Sequence, residues 1–166
     1  MSRRREPHAG SQARRQRSTS RMHAVQAVYQ LELNAGRPEA VVAEFQAHRL
    51  GQDLDGEAVV VADREFFSDL VDGAYRRRVE LDGHVERHLS MDYSMDRLET
   101  LLRALLRVAA YELLVRIDVP ARVVIDEYVD LSSAFFSGAE PSLANAVLDR
   151  LARAIRADEM AARKGR

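Results

Sequence analysis

Apolar residues recur at helical spacing along most of the chain and nowhere alternate in twos. Ala24, Ala27, Val28 and Leu31 fall at i, i+3, i+4 and i+7, which predicts an amphipathic helix from Met22 to Leu33 with one buried face. Asn34-Ala35-Gly36 ends that helix, and Pro38 suits the first turn of the next, which runs to about Leu50 on Val41, Val42 and Phe45. Gly51 to Gly56 reads as a polar loop. A third helical stretch, about Asp63 to Leu89, carries Phe66, Phe67, Leu70, Val71, Ala74, Val79, Leu81 and Val85, with Gly73 and Gly83 marking tight contacts or a bend.

Farther on, Asp96 and Glu99 have the spacing of a capping box. The helix after them, Arg97 to about Arg116, is apolar nearly all round, as befits the centre of a bundle. Asp118-Val119-Pro120 is a sharp stop and restart, because proline disfavours helix in the residue before it and suits a first turn. A helix on Val123, Val124, Tyr128, Leu131 and Phe135 follows. Ser137 to Pro141 forms the next turn, and the last helix spans about Ser142 to Arg156. The polar tail, residues 157–166, is expected to fray. Prolines fall only between helices and no repeat is visible, so the predicted fold class is all-α, a helical bundle with short connections.

Charge changes this picture at one end. Residues 1–21 hold seven arginines (Arg3, Arg4, Arg5, Arg14, Arg15, Arg17 and Arg21) against Glu6, a net of +6, whereas the whole 166-residue chain is −1. The remainder therefore carries −7, and the charge is segregated. Clustered guanidinium groups repel one another and gain from neutralising phosphate, which points to an anionic partner. Residues 1–18 contain almost nothing apolar and are expected to form a disordered basic arm before a domain at 19–156.

Chemistry is sparse by comparison. There is no cysteine, which excludes disulfides and thiolate metal sites. No apolar run reaches the roughly 18 residues of a membrane span, and the start lacks a signal-peptide pattern, so a cytoplasmic protein is expected. His84 and His88 stand at i, i+4 without a third ligand, and Asp53, Asp55 and Glu57 do not meet the spacing of a calcium loop. No phosphate-binding loop or nucleophile motif is present. The reading is of a binding protein without catalytic residues, metal or cofactor.

Three segments in order carry a resemblance: Arg21-Met-His-Ala-Val-Gln-Ala-Val-Tyr-Gln30; Leu106-Arg-Val-Ala-Ala-Tyr-Glu-Leu-Leu114 with Asp118-Val-Pro120 and Val124-Ile-Asp-Glu127; and Asn145-Ala-Val-Leu-Asp149. Together, over about residues 14–153, the chain resembles the NusB family of transcription antitermination factors. The resemblance implies a compact bundle of about seven helices in two packed subdomains. It also implies that the chain, with ribosomal small-subunit protein ten (NusE), binds boxA-type single-stranded RNA in ribosomal RNA leaders. Such a complex helps a transcribing RNA polymerase read through terminators.

Residue by residue, Arg14, Arg15, Arg17, Arg21, Gln26 and Tyr29 stand where the family's arm and first helix contact phosphates and bases. Phe135, Phe136, Glu140 and Leu143 stand where it contributes to RNA or partner contact, and one of the two adjacent phenylalanines is expected to be exposed. The acidic face Asp126, Glu127 and Asp130 would help dock the basic ribosomal protein, against the plainer reading of a solvated face. On helical spacing alone Tyr29 is equally a base-stacking side chain and a half-buried packing one. A helical protein-interaction scaffold without specific RNA binding is the rival reading, and apolar helix faces serve a monomer and a homodimer alike.

Overall fold

The computed structural model describes residues 9–50 and 61–162; Arg3, Arg4, Arg5, the loop carboxylates Asp53, Asp55 and Glu57, and the last four residues lie outside that range. Eight α-helices and no strand occur among the described residues. They are α1 (Ala9–Asn34), α2 (Pro38–His48), α3 (Arg64–Arg76), α4 (Arg78–Glu86), α5 (Thr100–Val115), α6 (Ala121–Phe135), α7 (Glu140–Ile155) and α8 (Ala157–Ala162), with a single 3-10 turn at Met95–Arg97. Helices α1, α2 and α3 pack on one another, α6 and α7 pair, and α5 touches both groups as well as α4. The two subdomains thus share α5, whose Leu105, Leu106, Val108, Ala109 and Leu113 are buried. An apolar surface all round the helix has exactly this use: every face meets a neighbour.

Charged ties fix α5 against α1 at two levels. Arg107 grips Asp82 of α4 through Nε and Nη2 (2.5 and 2.8 Å) and reaches Glu32 of α1 through Nη1 (3.1 Å). About three turns away along α1, Arg21 meets Glu112, described below. On the other side of the core α5 approaches α3 so closely that a Cβ on Gly73 would lie 2.1 Å from the Tyr111 ring. Glycine is what admits the tyrosine, whose hydroxyl donates to Asp69 at 2.7 Å. Gly83 meets no such crowding.

Four expectations are corrected. The arm does not stay disordered to residue 18: α1 begins at Ala9. Ala, Gln and Arg are good helix formers, and extending an existing helix adds one hydrogen bond per residue without a new nucleus. Ser20 Oγ donates to the Asp63 carbonyl at 2.8 Å, which ties the extension to α3. The third helix is broken at Arg77 (φ −99°, ψ 16°), not at either glycine. The capping box does not form: Asp96 sits in the 3-10 turn, Leu98 is extended, and α5 starts at Thr100. Met95 and Leu98, at the start of the turn and just after it, are both buried, and their burial outweighs the cap.

The tail, finally, folds through residue 162. Met160 is buried, and Glu159 accepts from the Ala121 N–H (2.6 Å) at the start of α6. Arg156 donates to the carbonyls of Leu113 (2.8 Å), Val119 (2.6 Å), Arg116 (2.9 Å) and Glu112 (3.3 Å), and thereby satisfies the open end of α5.

Candidate nucleic-acid interface

The arginines of α1 pass from solvent to core within two turns. Arg14 and Arg15 are exposed and form no ion pair with another described residue. Arg17 is half-buried, its guanidinium 4.8 Å from the centroid of the Phe66 ring. Arg21 is 2% exposed. Its Nε lies 2.9 and 3.1 Å from the two Glu112 oxygens and its Nη2 donates to Oε1 at 2.6 Å.

Glu112 is fully buried and also accepts from the Tyr128 hydroxyl at 2.7 Å. Burial alone would lower the pKa of Arg21, but the hydrogen bond and charge of Glu112 outweigh it and hold the guanidinium above its ordinary value. Burial, followed by the Glu112 charge, pushes the Tyr128 phenol well above the usual tyrosine range. The group is an internal lock between α1, α5 and α6. Arg21, read from sequence as a phosphate contact, is instead enclosed with its charge already neutralised.

Ser18 completes the junction by donating to Glu127 Oε1 at 2.9 Å, and Glu127 lies 3.7 Å from Arg21 Nη1. Of the three acidic residues of α6, Glu127 is thus half-buried and engaged inside the protein. Asp126 and Asp130 are exposed and form no ion pair with a described residue. They line a groove of about 520 Å³ whose other wall holds Arg14 and Arg17, with Val119, Pro120 and Val123 between. The structure therefore brings the arm and the acidic face together, which spacing along the sequence does not reveal.

Gln26 and Tyr29 are half-buried on the outer flank of α1, and Tyr29 packs against the core with part of its ring accessible. Beside Gln26, burial pulls the His23 imidazole below its ordinary pKa.

At the α6–α7 turn both phenylalanines are half-buried against the core, contrary to the expectation of one exposed ring. Helix α6 ends at Phe135 and Phe136 is extended (φ −130°, ψ 148°), so the pair is not held 100° apart as within a helix. Glu140 and Leu143 line a shallow hollow with Tyr93, Arg97 and Leu102. Glu140 Oε2 is buried there without a hydrogen-bond partner among the described residues. Tyr93, 47% exposed, and the fully exposed Met91 flank this end of the molecule and carry no periodic signal that sequence reading would catch.

Among the described residues no group of three or more His, Asp or Glu is arranged to hold a metal, and no helix is long and apolar enough to cross a membrane.

A profile of the NusB family matches residues 18–153. The chain belongs to the NusB family. It is 46% identical over 143 residues to a transcription antitermination protein NusB of Sinorhizobium fredii, covering 86% of this chain and 89% of the relative. A NusB of Maricaulis maris is 46% identical over 145 residues, with coverages of 87% and 91%. Among solved structures, T. maritima NusB superposes with a TM-score of 0.70 at 25% identity, covering 89% of this chain and 96% of that one. Antitermination factors NusB and NusE in complex with double-stranded RNA give 0.65 at 26% identity, with coverages of 82% and 96%.

The NusB match begins at Ser18, where the helix joins the body. Arg21, Glu112, Glu127 and Tyr128 lie within it, whereas Arg14, Arg15 and Arg17 precede it. The lock lies within the matched span, and Arg14, Arg15 and Arg17 lie on the part of α1 that precedes it.

Proposed function

We propose that this chain is an RNA-binding transcription antitermination factor that acts with NusE on boxA-type single-stranded RNA in ribosomal RNA leaders and promotes read-through by RNA polymerase in the cytoplasm. It works by binding and not by catalysis. The observation that carries this reading is the first half of α1: exposed arginines that form no ion pair with a described residue, presented on a helix whose base is locked into the body. Guanidinium groups without internal partners keep their capacity to neutralise phosphate, and a helical support holds them in register. A solved complex of the antitermination factors NusB and NusE with double-stranded RNA, similar in fold to this chain, supports the choice of partners.

Arg14, Arg15 and Arg17 take the phosphate role, and Arg21 takes the supporting one. Tyr29 and Gln26, partly accessible on the flank that Arg15 also faces, take the base-contacting role. The hollow of Glu140, Leu143 and Tyr93, next to Phe135 and Phe136, is a second contact surface.

The test is fluorescence anisotropy of a labelled boxA-type RNA and a scrambled strand, with and without NusE. Tighter, sequence-selective binding with NusE supports the proposal. Replacing Arg14, Arg15 and Arg17 by Ala is expected to flatten the slope of log K against log salt by about 0.7 per lost contact. Equal, weak binding of both strands in the presence of NusE would favour a protein-interaction scaffold.

A further inference from the structure

The groove between α1 and α6 has opposite charges on facing walls that do not neutralise each other. Arg14 and Arg17 stand on one side, Asp126 and Asp130 on the other, with Pro120 and Val123 forming an apolar surface between them. Neither aspartate forms an ion pair with a described residue, whereas the neighbouring Glu127 and Asp118 are engaged, with Ser18 and Arg21 and with Arg116 respectively. Val123 leaves 42% of its surface exposed in this position.

A polyanion entering such a groove is turned by the field. Its phosphates are drawn to the arginine wall and repelled by the carboxylate wall, which leaves base faces over Val123 and Pro120 and base edges toward Asp126 and Asp130. A carboxylate only accepts hydrogen bonds. Guanine offers it two parallel donors on its Watson–Crick edge, N1–H and the N2 amine, whereas the single N3–H of uracil is flanked by two carbonyl oxygens that repel it. Single-stranded RNA is read through such splayed edges.

Resting on the RNA-binding reading above, we infer that Asp126 and Asp130 are specificity-determining residues, which select a base with donor groups, guanine foremost, in the strand held by Arg14 and Arg17. The acidic wall then reads RNA and does not dock the ribosomal protein.

The experiment uses the full chain with NusE and labelled ten-nucleotide strands of equal charge: all uridine, or uridine with one guanosine moved through each position. The wild type is expected to bind the strand with guanosine at one position about tenfold tighter than all-U. Asp126→Asn or Asp130→Asn is expected to abolish that preference while affinity for the all-U strand rises, because repulsion is relieved. If both variants tighten all strands equally and keep the guanosine preference, the wall only repels and the inference falls. It falls equally if either variant weakens binding of NusE in the absence of RNA, which would return the acidic face to partner docking. The parent reading fails separately: the R14A/R17A variant would then bind every strand as well as the wild type, or no strand would bind the wild type at all.

Discussion

Arg14 and Arg21 are the same residue type, seven positions apart on one helix, and at 100° per residue their side chains point within about 20° of each other. One is exposed and forms no ion pair with a described residue, and the other is enclosed with Glu112 and Tyr128. The difference lies in what stands opposite: α5 and α6 present buried oxygen acceptors at the level of Arg21, and only the open groove at the level of Arg14. A basic sequence run therefore contains two kinds of arginine. The buried one gives up its charge to fix the helix, and the exposed ones keep theirs for a ligand.

The sharpest way to break this comparison is Glu112→Ala. It leaves Arg21 charged in the core with only the more distant, half-buried Glu127 to offset it and is expected to cost about 3–5 kcal/mol in urea unfolding. Combining Arg21→Met, Glu112→Leu and Tyr128→Phe replaces the whole lock by apolar groups and is expected to recover most of that loss; failure to recover would mean that packing, not the unpaired charge, caused it. Gly73→Ala drives a methyl into the Tyr111 ring and should cost about 1–3 kcal/mol, with RNA affinity intact wherever the protein remains folded.

A smaller effect comes at alkaline pH. Burial, and then the hydrogen bond to Asp69, push the Tyr111 phenol up to about 12, while unfolded tyrosines titrate near 10. The folded state holds its proton longer, so the stability contribution is complete below about pH 10 and declines as pH rises toward 12. Tyr111→Phe should make that decline shallower when unfolding is compared at about pH 8 and about pH 11. Smallest of all, Arg14→Ala and Arg15→Ala should leave stability within about 0.5 kcal/mol while they alter the salt dependence of RNA binding. A large loss of stability from either would show that the exposed arginines also serve the fold.

The helical bundle was legible because burial leaves a period of 3.6 in every long segment, and α5 announced its central place by being apolar all round. Its single mid-helix carboxylate, Glu112, was the missed signal: a charge in a helix buried on every side needs a buried counter-charge, and Arg21 is the available one. What periodicity does not encode is distance between segments. Nothing local says that Glu127 reaches Ser18, that Asp126 faces Arg14 across a groove, or that Arg77 and not a glycine breaks the third helix. Nor did the apolar content of residues 9–18 reveal their helicity, since they extend a helix nucleated and anchored farther along.

Arg156 gives the fold a temporal consequence. The four carbonyls that it satisfies belong to the end of α5 and the start of the α5–α6 connection, close to the carboxylate that neutralises Arg21. A chain emerging from the ribosome presents its arginine-bearing first helix long before Glu112, 91 residues later, is available to pair with it. It presents Arg156 later still. During synthesis the basic half of the helix that later meets nucleic acid thus carries Arg21 as a fourth exposed cation beside Arg14, Arg15 and Arg17, until Glu112 is available to withdraw it.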